Sequence, residues 1–258
     1  MTGVLYFIII ILANTVGAIS GMGGGVLIKP VFDAIGAHSV PAITFYSTVA
    51  VLTMSVVSTL RQRKNLVIDY PVAGLISLGA IIGGILGNVV FESLLNWLVV
   101  EKSVQLIQIV LTIVTIGISY LVSEGKWSLH LKGWYWYSLV GLSLGFLASL
   151  LGIGGGPINV AMLLLCFGMP IKSATVYSII TILFSQLAKI LTIASTTGFG
   201  RYDLKLLYYV IPAAVIGGFL GALLSGRLKD QSVRRVYQVI LFLVLCINGY
   251  NGIQILLG

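Results

Sequence analysis

The chain has 258 residues, of which 58% are hydrophobic and only 9% are charged, and its formal net charge at pH 7 is +8. An ordinary soluble domain has about 25% charged residues, so the composition excludes that class and indicates an integral membrane protein. The Lys and Arg residues lie at the ends of apolar segments and not on one basic face. This distribution argues against nucleic acid as a partner and agrees with the Lys and Arg enrichment of cytoplasmic membrane loops.

Eight apolar segments follow one another along the chain, each near the roughly 20 residues that a helix needs to cross a bilayer. The alternating strands of about 10 residues that build membrane barrels are not seen, so we predict an all-α membrane fold in contact with the lipid bilayer. The segments cover residues 3–20, 41–60, 71–91 and 103–122, and then residues 134–150, 171–195, 206–225 and 236–257.

A glycine-rich motif occurs twice, as Gly-Met-Gly-Gly-Gly at residues 21–25 and as Gly-Ile-Gly-Gly-Gly 131 positions later. The same step relates Thr-Phe-Tyr-Ser to Thr-Val-Tyr-Ser further along each half. A repeat at a fixed distance indicates a duplicated structural unit. We predict repeat 1 at residues 1–123 and repeat 2 at residues 133–258, joined by a loop at 124–132.

Each glycine motif is followed by a short apolar stretch, residues 26–35 in the first copy and 157–167 in the second. A helix of about ten residues rises about 15 Å, which is half of a bilayer. We therefore predict that each repeat begins with a hairpin that enters and leaves on one side, at residues 3–36 and 134–167. Three full spans follow each hairpin.

The loop charges predict that the two repeats are inverted relative to each other. Basic residues concentrate at 61–64, after the second segment of repeat 1, but at 227–235, after the third segment of repeat 2. If both loops face the cytoplasm, equivalent loops lie on opposite sides of the membrane and both termini lie outside. The predicted cytoplasmic residues also include Lys126 and Lys132, whereas Lys102, Arg201 and Lys205 are predicted outside.

The two glycine motifs form the predicted substrate site. Adjacent glycines allow positive φ angles and close approach to the backbone, and non-helical backbone at membrane depth is tolerated only inside protein or beside water. The short helix after each motif starts with unpaired N–H groups and the positive end of its dipole, which favours an anion. The alternative is that the glycines only permit close helix packing. The predicted binding glycines are Gly23, Gly24, Gly25, Gly154, Gly155 and Gly156.

Polar side chains inside the apolar segments complete the predicted site. Tyr46 and Ser47 recur in the second half as Tyr177 and Ser178, and we expect their hydroxyl groups to contact the ligand. Hydrogen bonding between helices is the alternative. Asn159, close behind the second motif, is expected to present its amide to the same site.

Four further residues are candidates for the site. Gln186 and Lys189 lie inside segment 171–195, where ionisable groups are commonly functional, although the lysine could instead snorkel to an interface. Thr44 and Thr175 could contact the ligand or bond their own helix backbone.

Two further patterns predict packing. Gly79, Gly83 and Gly87 fall at four-residue intervals, as do Ala213, Gly217, Gly221 and Ser225 in the second half, which predicts two small-residue faces for helix contact. Lys29 and Asp33 are spaced as an i, i+4 pair on the first short helix.

With these motifs the chain resembles the sulfite exporter TauE/SafE family of membrane transporters. The resemblance rests on residues 21–30, Gly-Met-Gly-Gly-Gly-Val-Leu-Ile-Lys-Pro, and on residues 152–157, Gly-Ile-Gly-Gly-Gly-Pro, and it covers nearly the whole length. It implies secondary transport of a small anion such as sulfite, a sulfonate or a related sulfur-containing or organic anion. Tyr46 and Tyr177 stand where such proteins often carry a small Gly-Thr-Ser-like stretch.

We predict a secondary transporter in the cell membrane that moves a small anion by alternating access around the two glycine turns. No cofactor, metal site or catalytic residue is predicted, because the sequence has no metal-ligand spacing and no nucleophile-base pair. A proton could serve as the coupling ion. A passive anion channel and a structural subunit that transports nothing are the alternatives, and the substrate, the direction of transport and the oligomeric state are left open.

Overall fold

The computed structural model describes residues 2–62, 69–98, 100–125 and 127–257, and all regular secondary structure within these ranges is helical. The predicted all-α class is confirmed. Arg63, Lys64 and Lys126, which the charge argument places in the cytoplasm, lie outside these ranges. The helices are α1 (Thr2–Ser20), α2 (Gly25–Ile35), α3 (Val40–Gln62), α4 (Tyr70–Leu98), α5 (Glu101–Glu124), α6 (Trp134–Leu150), α7 (Pro157–Phe167), α8 (Ile171–Ser195), α9 (Leu207–Arg227) and α10 (Asp230–Leu257), with a 3₁₀ turn at Leu204–Leu206.

Seven of the described helices are long and apolar enough to cross a membrane: α1, α3, α4, α5, α8, α9 together with the turn before it, and α10. Many of their large apolar side chains face outward, as Leu121 and Phe242 do at 73% and 70% exposure. A surface of this kind would not be stable in water, and it suits contact with lipid tails. The chain is therefore a multi-pass integral membrane protein.

The two short helices, α2 and α7, have 11 residues each. At 1.5 Å per residue each rises about 16 Å, too little to cross the hydrocarbon core. Both end at a glycine in the left-handed conformation, Gly36 with φ 65° and Gly168 with φ 64°. This conformation closes a helix without the steric cost of a side chain, so the two segments end in the same way.

Helices of the first half of the chain, α1 to α5, pack mainly against helices of the second half, α6 to α10. α1 packs on α9 and α4 packs on α6, so the first helix of each half lies against the fourth helix of the other. In the same sense α2 contacts α10, α7 contacts α5, and α3 and α8 contact each other. Two copies of one unit would give this pattern. The boundaries of the repeats and their inversion across the membrane stay predictions.

Glycines bring the backbones of these helix pairs into contact. A methyl group on Gly79, Gly83 or Gly87 of α4 would overlap a carbonyl oxygen of α6, and one on Gly141 or Gly145 of α6 would overlap a carbonyl oxygen of α4. In the other pair, Gly217 and Gly221 of α9 approach the carbonyl oxygens of Ile11 and Thr15 in α1. The prediction that these small-residue faces pack helices is confirmed.

Candidate anion site at the glycine turns

Both glycine motifs form turns that glycine adopts more easily than any other residue. Gly21 and Gly23 have φ angles of 74° and 81°, and Gly152 and Gly154 have φ angles of 68° and 67°. Other residues pay about 1–2 kcal/mol in this left-handed region. At these two positions of each motif, the likeness extends from the sequence to the backbone conformation.

The two turns lie against each other inside the helix bundle. A methyl group on Gly155 would lie 2.8 Å from the carbonyl oxygen of Met22, and one on Gly25 would overlap the carbonyl oxygen of Ile153. Backbone from one half thus meets backbone from the other. All six predicted binding glycines, Gly23, Gly24, Gly25, Gly154, Gly155 and Gly156, are buried there.

The predicted threonines contact the turn of the opposite half. A methyl group on Gly152 would lie 2.7 Å from the Thr44 hydroxyl oxygen, and one on Gly21 would lie 2.5 Å from the Thr175 Cα atom. The Thr175 hydroxyl donates to the carbonyl oxygen of Lys172 in its own helix at 2.8 Å. The Thr44 hydroxyl is buried and has no partner in the described part of the chain. Of the two, Thr44 is the one whose hydroxyl is still available.

The predicted serines differ in the same way. Ser178 donates a hydrogen bond of 2.5 Å to the carbonyl oxygen of Gly21, in the turn of the other half. Ser47 is fully buried, and its hydroxyl has no partner among the described residues. A methyl group on Gly25, the first residue of α2, would lie 2.7 Å from the Ser47 oxygen. Ser47 therefore places an unused hydroxyl beside the N-terminus of a short helix.

Asn159 occupies the first turn of the other short helix. Its backbone N–H donates to the carbonyl oxygen of Gly156 at 3.1 Å, while its side-chain oxygen and nitrogen both lack partners in the part of the chain that the structure describes. The residue is 1% exposed. A buried polar group left unpaired costs about 1–3 kcal/mol, so an amide in this state at a helix N-terminus is a candidate ligand contact.

The predicted tyrosines use their hydroxyl groups to tie the two halves together. The Tyr46 hydroxyl donates to the carbonyl oxygen of Asp203 at 3.2 Å and accepts from its N–H at 3.1 Å. The Tyr177 hydroxyl accepts from the N–H of Asp69 at 2.8 Å and donates to its carbonyl oxygen at 3.5 Å. Each tyrosine thus holds the chain just before a long helix of the opposite half. Ligand contact by Tyr46 and Tyr177 stays a prediction.

Lys189 lies in the interior and not at an interface. It is fully buried, and its ammonium donates a 2.6 Å hydrogen bond to the carbonyl oxygen of Ser149. Ser149 lies in the last turn of α6, whose dipole is negative at this end, and the Phe91 ring lies 5.3 Å from the ammonium. One turn earlier, Gln186 donates to the Ser185 hydroxyl at 3.3 Å, while its side-chain oxygen has no partner among the described residues.

The predicted pair on α2 is formed. Lys29 Nζ lies 2.7 Å from Asp33 Oδ2, and both side chains are 4% exposed. A buried ion pair is costly to break from one side, because the remaining charge is left without compensation. Asp33 is thus a buried acid within the helical bundle.

Sequence reasoning missed Asn14. Its side-chain nitrogen donates to the carbonyl oxygen of Ala50 at 3.4 Å, and its side-chain oxygen lies so close to Gly24 that a methyl group there would overlap it. That oxygen has no hydrogen-bond partner in the described ranges. The available signal was that Asn14 is the only amide side chain in segment 3–20.

These observations define a class. A bundle of seven long apolar helices among the described residues, together with two buried glycine turns from which two short helices begin, is the architecture of a multi-pass membrane protein. The family model of the sulfite exporter TauE/SafE matches residues 6–247, and the chain belongs to this family of membrane transporters.

A curated relative is the "Probable membrane transporter protein YunE" of Bacillus subtilis (strain 168). It is 26% identical over 292 aligned residues, which cover 98% of this chain and 99% of the relative. The likeness therefore spans both halves of the molecule. No solved structure matches the chain.

Proposed function

We propose that the protein is a secondary transporter that moves a small anion across the cell membrane and binds it between the two glycine turns. The observation that carries this proposal is that the two buried glycine turns, from which α2 and α7 begin, pack against each other. Among the buried polar groups without partners in the described residues, the hydroxyl of Ser47 lies beside the start of α2 and the amide of Asn159 lies in the first turn of α7. Backbone N–H groups in the first turn of a helix have no intrahelical acceptor and favour an anion.

A buried positive charge supports an anionic ligand over a neutral one. The Lys189 ammonium has three N–H donors and one bond to a protein carbonyl, that of Ser149. Ser149 lies only three residues before the second glycine turn. An anion entering between the turns would partly compensate this charge, which otherwise stays desolvated in the membrane interior.

The substrate class follows from the donors. Amides, a hydroxyl and an ammonium all donate hydrogen bonds, and they suit a compact anion with several acceptor oxygens. Sulfite and the sulfonates have such groups, and the name of the family refers to sulfite. The proposed substrate is therefore sulfite, a sulfonate or a related sulfur-containing or organic anion, and the proposed function involves no catalysis.

Dense packing at the turns favours a transporter over a permanently open channel. A methyl group on Gly154 would lie 2.9 Å from the Val51 side chain, and one on Gly155 would lie 2.5 Å from the end of Ile182. Both side chains are fully buried and are separated by the same 131 positions as the two motifs. We propose that opening to either side requires one set of helices to move against the other, as in alternating access.

The proposed arrangement in the membrane keeps the inverted repeats of the charge argument. Each half would cross the bilayer three times after a hairpin formed by α1 and α2 or by α6 and α7. The basic residues Arg227, Lys229, Arg234 and Arg235 would then face the cytoplasm together with Arg61. Reporter fusions at the N-terminus and after Arg61 are expected on opposite sides, and the same side for both would refute the inversion.

Transport by the purified protein in liposomes tests the function. We expect uptake of radiolabelled sulfite to saturate and to be accelerated by unlabelled sulfite on the opposite side, because an alternating carrier shows counterflow. Flux that rises linearly with concentration and shows no counterflow would indicate a channel. No movement or binding of any anion from a panel of sulfite, thiosulfate, sulfonates and carboxylates would indicate a structural subunit.

Matched variants locate the site. Gly25→Val should abolish transport, since the side chain would overlap the carbonyl oxygen of Ile153. Gly117→Val should not, because no atom of the described residues would lie within 4 Å of its Cβ. Asn159→Leu should reduce sulfite affinity, and Asn96→Leu, at an exposed position, should leave it unchanged. Unchanged affinity in correctly folded Gly25→Val and Asn159→Leu would exclude the glycine turns as the site.

A further inference from the structure

A polar pocket of about 300 Å³ lies where α3 ends and where α8 and α10 begin. Gln62, Lys172, Ser173, Ser225 and Asp230 line it. None of the glycines of the two central turns belongs to this lining. The pocket is therefore a second place where polar groups converge, at one end of the helix bundle.

Two helix N-termini border the pocket. α8 begins at Ile171, so Lys172 and Ser173 lie in its first turn, and α10 begins at Asp230. The first N–H groups of a helix lack intrahelical acceptors and carry the positive end of the dipole. With the Lys172 ammonium they make this end of the pocket electropositive.

Gln62 gives an indication of a ligand that does not depend on the helix N-termini. The residue is 3% exposed and lines the pocket, yet its side-chain nitrogen has no hydrogen-bond partner in the described part of the chain. This nitrogen can only donate hydrogen bonds. The partner that it lacks is therefore an acceptor, such as the oxygen of an anion.

The corresponding place in the first half is filled by a carboxylate of the protein itself. Val40 is the first residue of α3, as Ile171 is of α8, and its N–H donates to Glu101 Oε2 at 2.9 Å. Glu101 is the first residue of α5, as Asp230 is of α10. Aspartate is one methylene shorter than glutamate, and beside Asp230 there is a pocket in place of a capped helix.

We propose that this pocket binds a small tetrahedral oxyanion, in the position that Glu101 takes in the other half. The Gln62 amide, the Lys172 ammonium and the N-terminus of α8 hold it. Asp230, which is exposed, opposes the anion from the rim. The site does not depend on the proposed transport site, because it shares none of the central turn residues.

A fluorescence titration tests the proposal on the full-length protein in neutral detergent. An environment-sensitive dye is attached at Gly226→Cys, an exposed position of the pocket lining, in a Cys246→Ser background. Sodium sulfate is added at constant ionic strength against sodium chloride. We expect a saturable signal, and no saturation in folded protein would overturn the proposal.

Variants assign the signal to named groups. Lys172→Gln and Asp230→Glu should each weaken sulfate binding about tenfold, the first by removing a charged donor and the second by placing a carboxylate where the anion binds. Asp230→Asn should tighten binding, and Lys205→Gln, in a different loop, should leave it unchanged. Equal affinities in all four variants would refute the site.

Two controls complete the experiment. Gly25→Val should leave the titration unchanged, so a failed transport site and a failed pocket give different results. The oxyanion could also be the phosphate of a lipid headgroup. If phosphatidic acid added to the micelles competes with sulfate, the headgroup is the occupant, and if it does not, the occupant is a free anion.

Discussion

The two glycine turns share two left-handed glycines but have different polar neighbours. Gly21 and Gly23 correspond to Gly152 and Gly154, and each turn is followed by a helix of 11 residues, whereas Gly24 has φ −68° where Gly155 has φ 154°. The buried charges, by contrast, are not duplicated. Lys189 corresponds to Ser58, and the pair on α2 corresponds to Val160 and Leu164 on α7.

This difference separates two requirements. The shape of the proposed site depends on backbone, and both halves supply left-handed glycines where their turns meet. Charge needs to be supplied only once, and a second buried lysine beside the first would add repulsion in a region of low dielectric. In the proposed site the charged groups therefore come from a few side chains of one half, and their removal can be tested.

The largest effect is expected from the ion pair on α2. Asp33→Leu leaves the buried Lys29 ammonium without its partner and should destabilise the protein by about 3–5 kcal/mol. The double variant Lys29→Val, Asp33→Leu makes α2 like α7 and should recover most of that stability. Denaturation of the purified protein measures both, and a double variant as unstable as the single one would contradict the argument.

The second-largest effect is expected from removing the buried lysine of α8, Lys189. Lys189→Ser copies the residue of the first half and should weaken sulfite binding by about 10- to 100-fold, because a hydrogen bond to a charged group contributes about 1.5–3 kcal/mol. The dependence of the thermal unfolding midpoint on sulfite concentration reports the affinity. Lys205→Ser is the control, and equal affinity in the two variants would remove Lys189 from the site.

Equivalent glycines should respond unequally to the same substitution. Gly154→Ala places a methyl group 2.9 Å from Val51, whereas Gly23→Ala places one 3.4 Å from the same side chain. In both variants the left-handed backbone lowers the free energy of unfolding by about 1–2 kcal/mol, and the tighter contact at Gly154 lowers it further. Thermal unfolding should show a larger decrease for Gly154→Ala, and a larger decrease for Gly23→Ala would contradict this ranking.

The smallest difference between the halves is expected at the two tyrosine bridges, where the halves are most alike. Tyr46→Phe and Tyr177→Phe each remove hydrogen bonds to the backbone of one aspartate, and each should cost about 1 kcal/mol per bond. Because both bridges have the same form, similar losses of stability are expected, and clearly unequal losses would contradict the comparison. A raised KM in either variant would show that the hydroxyl also contacts the ligand.

Much of the fold was predictable because apolar length and repeated motifs are local properties. Segment 26–35 matches α2, but segment 71–91 stops short of the end of α4 at Leu98. Glu92 and Asn96 interrupt the apolar run without ending the helix, so a prediction from hydropathy alone ends the segment too early. The repeat predicted that polar groups and glycines cluster. It did not predict which of these polar groups have hydrogen-bond partners in the protein and which do not.

The parts that could not be predicted depend on contacts between distant residues. Tyr46 and Asp203 are 157 positions apart, and nothing in either local sequence indicates their hydrogen bonds. The contact between Asn14 and Gly24 likewise needs the path of the chain through the first turn. Which donors remain without a partner among the described residues, as in Ser47 and Asn159, depends on all such pairs together.

The packing of helices from one half against helices of the other also has a consequence for biogenesis. α1 leaves the ribosome early, but its packing partner α9 is made only after seven other helices. Until then the backbone surface of α1 that receives the glycines of α9 must be covered by lipid or by an insertion factor. The first half made alone should therefore reach the membrane and be degraded there, and the second half made in the same cell should rescue it.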